Sequence, residues 1–231
     1  MNYSTQTLLI LSLCLFISAC SMAPKQANEL NIPAQNEPQD HPLISGTQAQ
    51  SEGAVLLSKM NHFLTSEPSM ASAMAKQFKQ SIHSYQQQDY AQALAHLSSY
   101  LHDNSGYSSV WLLRGDIATN QKQPTQAKAF YQKALEVNGN NYLAHNRLAI
   151  GSRNEGQFEQ ALASYNKALE SWQGFALGYL NRGILLDVYM GKKQDALQDY
   201  QHYQDLVSVT QGKPDKKVRG WIIDLTRQLK Q

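Results

Sequence analysis

Cysteine is nearly absent: the 231 residues contain two, Cys14 and Cys20. Two thiols cannot build a disulfide framework or a four-cysteine metal site. Proline and glycine number only 7 and 13, too few for a collagen-like or wholly low-complexity chain. Neither sign of charge dominates. Twenty Lys and Arg against eighteen Asp and Glu leave a formal charge of +2, which argues against a protein that coats nucleic acid. Beyond the N-terminus no apolar run approaches the roughly 18 residues of a membrane-spanning helix. The Gly-rich phosphate cradles are missing, as is the Gly-x-Ser-x-Gly nucleophile turn. The histidines (His41, His62, His83, His96, His102, His145 and His202) are scattered, and none forms a His-x₃-His pair beside a carboxylate ligand. The chain is therefore read as no enzyme, with no metal, no soluble cofactor and no nucleic-acid partner.

What is present begins at the N-terminus. Leu8 to Ile17 is a short run, apolar but for Ser12, of secretory-signal length and too short to span a bilayer. It ends in Ile17-Ser18-Ala19-Cys20. An aliphatic residue, two small residues and Cys resemble the lipobox of bacterial lipoproteins. The resemblance implies cleavage before Cys20, a diacylglycerol on its thiol and an acyl chain such as palmitate on its amine. The segment Met1 to Thr7 carries no Lys or Arg, a departure that leaves a plain secretory signal or a buried N-terminal apolar helix as the alternatives. Once Cys14 is removed and Cys20 acylated, nucleophilic cysteine chemistry is excluded. Ser21 comes next, with no Asp there. By resemblance to enterobacterial sorting this favours the inner leaflet of the outer membrane, with the protein facing the periplasm.

Residues 1–19 are thus expected to be signal peptide and 20–50 a lipidated tether. The tether holds Pro24, Pro33, Pro38 and Pro42 and almost no large apolar residue, so it cannot bury enough surface to offset chain entropy. Residues 51–73 form a short helical segment, with Ala54 to Leu64 its helix, which either caps the front of the folded part or folds against a partner.

From about Met74 the chain repeats itself. Ala93, Ala127, Ala161 and Ala196 recur in similar contexts, and seven residues later come Tyr100, Ala134, Ala168 and Tyr203. The motif resembles the tetratricopeptide repeat (TPR), a helix–turn–helix unit of about 34 residues. Trp111, Gly115, Ala127, Tyr131 and Ala134 match its positions in one repeat; Leu148, Ala149, Ala161, Tyr165 and Ala168 match in the next. The resemblance implies an all-α superhelix of about four repeats over 74–210: 74–107, 108–141, 142–175 and 176–210. Two repeats depart from it. Ser81 stands where Gly or Ala is usual, and Gly183 and Ala196 are one residue too far apart, which implies a slip in the inter-helix turn.

Residues 211–231 read as a capping helix. Val218, Trp221, Ile222, Leu225 and Leu229 share one helical face, and a solenoid end exposes apolar surface that needs covering. Its basic other side also suits a partner or a membrane surface.

The TPR resemblance implies a concave groove lined by the first helix of each pair. On it fall Leu112, Asp116 and Asn120; then Asn146, Arg147, Ile150, Arg153 and Asn154; then Asn181. Phe78, Ile82 and Tyr85 precede them. Asn pairs with an extended peptide backbone and Arg forks onto a carboxylate, although an ordinary solvated helix surface has the same composition. The expected function is a scaffold that binds an envelope protein or a peptide segment of one. TPR lipoproteins of this type accompany pilus, secretion and TonB-type energy-transducing machines. The rival is an accessory module for peptidoglycan or polysaccharide, which exposed groove aromatics beyond Tyr85 would favour.

Overall fold

The computed structural model describes residues 51–101 and 106–231, with side chains outside 99–105. The expected signal peptide, Cys20, the tether and the Tyr100 side chain lie outside the described residues. Among these residues the regular elements are all helical. They are α1 (Glu52–Leu57), α2 (His62–Ser66), α3 (Ser72–Gln86), α4 (Tyr90–Leu101), α5 (Ser108–Asn120) and α6 (Pro124–Val137). Then come α7 (Tyr142–Asn154), α8 (Phe158–Ser171), α9 (Ala176–Ile184), α10 (Lys193–Gln211) and α11 (Lys216–Gln228). Pairs α3–α4, α5–α6, α7–α8 and α9–α10 each pack as one helix–turn–helix unit. The fold is an all-α TPR superhelix of four repeats with a C-terminal capping helix.

The turns show why the pairs form. Gln88, Lys122, Gly156 and Gly191 all have positive φ, between 60° and 76°, and each lies five residues before its repeat's aligned alanine. In the first three turns the next residue's N–H (Asp89, Gln123, Gln157) donates to the carbonyl five residues back (Ser84, Ala118, Ser152) at 2.8–2.9 Å. A left-handed residue followed by this bond is a Schellman ending, which satisfies carbonyls the helix would otherwise orphan.

Small residues then let the paired helices close. A Cβ on Gly115 would run into the ring of Tyr131, and one on Gly183 would come 2.7 Å from the ring of Tyr200. Ala149 occupies the same place and clusters with buried Tyr165. In the first repeat Ser81 is fully buried, and its hydroxyl donates to the Ala93 carbonyl at 2.8 Å. A polar residue fits because its one donor is satisfied.

The extra residue of the fourth repeat is not in the turn. Gly191 keeps the left-handed turn position, and the slip is absorbed one step earlier, where Leu185–Tyr189 winds as a π-helix. Met190 N–H donates five residues back, to Leu185, at 3.1 Å. Gly183 against Tyr200 fixes the register on one side and buried Ala196 fixes it on the other. The surplus is wound in between, leaving Val188 and Tyr189 exposed.

The N-terminal segment also differs from expectation. It is two helices, broken between Ser58 and Asn61, because Asn61 caps α2 by accepting from the Leu64 N–H at 3.1 Å. It does not cover the front of the array. α1 packs against α10, in the last repeat. From there the chain runs back along the edge made by the inter-repeat turns. Phe63 is buried and meets Tyr142 edge-on, with ring centroids 5.9 Å apart. Glu67 accepts from the Ser109 N–H (2.9 Å) and from Asn138 Nδ2 (3.1 Å). The segment is a strap that touches the second, third and fourth repeats before the first one begins.

At the other end, α10 stops at left-handed Gly212. Asp215 caps α11 by accepting from the N–H groups of Lys217 and Val218. Val218 and Leu225 are buried, and Trp221 packs on Tyr200 with ring centroids 5.3 Å apart. No helix among the described residues is long and apolar enough to cross a membrane.

Candidate protein-binding groove

Helices α3, α5, α7 and α9 are the first helices of their pairs, the ones the sequence reading expects to line the groove. Three polar contacts step across them, one at each junction. Asn120 on α5 donates its Nδ2 to the Tyr85 hydroxyl on α3 at 2.6 Å. Arg147 on α7 donates its Nε to Asp116 Oδ1 on α5 at 2.8 Å. Asn181 on α9 donates its Nδ2 to Asn146 Oδ1 on α7 at 3.0 Å. Five of the nine groove residues expected from the sequence (Asp116, Asn120, Asn146, Arg147 and Asn181) therefore belong to one cross-helix ladder.

The middle step is the charged one. Asp116 is 2% exposed and its Oδ1 also accepts from the Tyr131 hydroxyl at 2.7 Å. Burial works against the Arg147 charge, but the Asp116 carboxylate outweighs it and holds the guanidinium above its ordinary range. Burial, and then the same carboxylate, raises the hydroxyls of Tyr85 and Tyr131 far above the usual phenol range. The Arg147 side chain remains 21% exposed, so this fixed cation is still open to solvent. Asp116 Oδ2 is buried without a hydrogen-bond partner, as is Arg153 Nε.

The other expected residues fall in different places. Leu112 is buried in the hydrophobic core. Ile150 and Arg153 are half-buried on α7, and Asn154 is exposed at its end. Asn146 is 1% exposed, so its role is to hold Asn181 in place. The expected groove aromatics Phe78 and Tyr85 are buried and offer no open stacking surface of the sort a polysaccharide uses.

Sequence reasoning missed a second cation set. Arg182 donates Nε and Nη2 to the two oxygens of Asp199 at 2.8 and 2.7 Å, and Nη1 to Asn166 Oδ1 at 2.8 Å. The carboxylate, on α10, comes from outside the groove helices. Only the adjacency of Arg182 to Gly183, at the closest approach of α9 to α10, would have signalled it.

The chain is similar to the TPR domain of Arabidopsis OM64, at 24% identity over 52% of this chain and 95% of that one, with a TM-score of 0.46. It is also similar to the TPR2B domain of yeast Sti1 in complex with Hsp70, at 15% identity over 52% of this chain and 97% of that one, TM-score 0.47. A third similar structure is MamA, at 15% identity over 68% of this chain and 90% of that one, TM-score 0.49. No curated protein matches the chain. Residues 84–150, from the end of α3 into α7, match the family model described as tetratricopeptide repeat.

Proposed function

We propose that this chain is a lipid-anchored scaffold of the bacterial envelope that faces the periplasm and holds an extended segment of another envelope protein in its groove. The proposed setting is the assembly of a pilus, secretion or energy-transducing complex at the outer membrane. The ladder carries this reading. Each inner helix is locked to the next by a polar pair, so the groove is rigid before a partner arrives and loses little entropy on binding. Arg147, fixed by Asp116, presents a directed cation. Arg153 and Asn154 leave further polar groups on the same helix, suited to peptide carbonyls and carboxylates. The lipobox-like Ile17-Ser18-Ala19-Cys20 supports the anchor.

The test is capture from detergent-solubilised envelope, comparing the unaltered chain with Arg153→Ala/Asn154→Ala. These positions lie outside the ladder, so the variant keeps its fold. The expected result is a defined protein recovered by the first and lost by the second. Equal recovery by both would remove the groove from the interaction. Sedimentation of the chain with purified cell wall, undisturbed by the groove variant, would favour the peptidoglycan reading instead.

A further inference from the structure

The cap helix α11 turns a basic face outward. Lys216, Arg219, Ile223 and Arg227 recur at spacings of three and four and so share one side of the helix, and Lys230 follows in the turn that ends it. Val218 and Leu225, on the opposite side, are buried, whereas all five outward residues are exposed, Ile223 by 50%. Two acids flank the stripe: Asp215, whose carboxylate is engaged by the Lys217 and Val218 N–H groups and the Tyr203 hydroxyl, and Asp224, 3.6 Å from Arg227 in an exposed pair, too weak a contact to mask the face. Lys193 reaches the end of the same helix through Gln228 Oε1 at 2.6 Å. Residues 213–231 hold six basic residues against two acidic ones, a net +4, while the full chain carries +2. The rest of the chain therefore carries −2, and the cap is a local concentration of positive charge.

A separate observation fixes where this face lies along the chain's path. Gly53 rests on the backbone of Asp205 and Leu206 in α10. Asp215, the cap of α11, accepts from the Tyr203 hydroxyl at 3.1 Å, and its carbonyl accepts from Gln204 Nε2 at 2.7 Å. The point where the preceding fifty residues join the array and the point where the cap helix starts are thus within one turn of the same helix. A tether arriving from Cys20 is rooted at the last repeat. If residues 20–50 form the tether expected from the sequence, a coil of that length reaches about 30 Å r.m.s. and would keep the root and its neighbours near the anchor at high effective concentration.

We infer that the outward face of α11 rests on an anionic phospholipid surface, which turns the last repeat toward the membrane and the first repeat away from it. This rests on the lipid-anchor reading above. The ammonium and guanidinium groups pair with phosphodiesters, and Ile223, in the middle of the stripe, enters the headgroup boundary. An acidic polypeptide would satisfy the charge, but would account neither for the apolar residue at the centre of the stripe nor for the root of the tether beside it.

The test uses the full chain carrying Cys20→Ser, so that no acyl chain contributes. Its binding to vesicles of phosphatidylethanolamine and phosphatidylglycerol is compared with binding to pure phosphatidylcholine vesicles, which give the background of the apolar leader. The variant Lys216→Glu/Arg219→Glu/Arg227→Glu/Lys230→Glu is set against Lys76→Glu/Lys79→Glu/Lys122→Glu/Lys167→Glu, which has the same net charge change away from the cap. Each basic residue near an anionic surface contributes about fivefold. The cap variant is therefore expected to lose more than about tenfold of its anionic-vesicle binding, and the control much less. Equal losses in both, or retention by the cap variant, would overturn the inference. So would binding to immobilised polyglutamate with no preference for anionic over phosphatidylcholine vesicles. Palmitate labelling of the natural Cys20 chain in cells checks the anchor separately. Its absence beside intact vesicle binding would remove the anchor and leave the lipid-binding face standing.

Discussion

Gly53 of α1 lies flush against the main-chain carbonyl of Asp205 in α10, with no room between them for a side chain. The chain therefore touches its last repeat before it builds its first. Beside this contact His202 meets Glu52 at 2.9 Å, and further along Phe63 and Glu67 fasten the strap to the inter-repeat turns. Stacked repeats otherwise touch only their sequence neighbours; here a long-range contact ties α1 to the last repeat. Gly53→Val is expected to push α1 off α10. Helices of this length have no stability of their own, so amides of residues 52–66 should lose hydrogen-exchange protection while α5 to α8 keep theirs. The overall loss should be about 1–3 kcal/mol, as for an overpacked contact. Unchanged exchange across the strap would show that the contact is dispensable.

The Asp116–Arg147 pair stabilises the groove only as a pair. Arg147→Ala leaves a 2% exposed carboxylate without its cation, and removing one partner of a buried ion pair costs about 3–5 kcal/mol. Asp116→Ala should cost less, because the half-buried guanidinium can turn to solvent. The double variant Asp116→Ala/Arg147→Ala should be less destabilised than the sum of the singles, with a coupling above about 1 kcal/mol. Urea unfolding of the four proteins measures this, and additive losses would contradict the ladder. A binding defect in Arg147→Ala alone would therefore confound recognition with stability.

The repeats were legible in the sequence because each depends on a local rule. An alanine or glycine at closest approach and an aromatic opposite it suffice to place Gly115 with Tyr131 and Ala149 with Tyr165. The fourth repeat's extra residue was legible as a spacing of thirteen between Gly183 and Ala196. Its location was not, because a turn and a π-helix accept an insertion equally well until packing fixes the register at both ends. The expected groove residues could be placed on the first helices of their pairs by their repeat positions. Their partners could not, since Asn146 meeting Asn181 depends on how adjacent repeats are rotated. The strap was beyond pattern reading. Nothing within residues 52–67 encodes that their partners lie between residues 109 and 206, and only tertiary contact reveals why Gly53 has to be small.

Two of the four turns hold a left-handed residue that is not glycine: Gln88 at φ 63° and Lys122 at φ 60°. Side chains cost roughly 1–2 kcal/mol in that conformation, and part of the gain from a glycine is returned through the entropy of its unfolded chain. Lys122 is exposed, so little packing is lost with it. Lys122→Gly is expected to stabilise the protein by about 1 kcal/mol, and Lys122→Ala to change it little. Thermal melts of the two variants separate backbone from side chain. A loss of stability in Lys122→Gly would mean that the lysine contributes through a contact rather than straining the turn.

His145 gives the fold a pH dependence of definite sign. It is 8% exposed, and its Nε2 lies 2.9 Å from the Gly139 carbonyl, where a neutral imidazole donates. Burial pushes its pKa below the ordinary histidine range, and the Gly139 contact only partly opposes this; nearby Lys167 lowers it further and Glu170 raises it. The unfolded imidazole takes up its proton near the ordinary value of about 6.5, while the folded one waits for lower pH. Between those two values the unfolded state binds more protons, so stability rises with pH. The contribution is complete above the unfolded value and is lost as the pH falls toward the folded one. Other titrating groups add slopes of their own, so the informative quantity is the difference between the unaltered chain and His145→Gln. Melting measured at about pH 7.5 and about pH 5.5 should show a drop that is smaller in the variant. Equal drops in the two proteins would mean that the imidazole is protonated in the folded state as easily as in the unfolded one, and that its burial exacts no electrostatic cost.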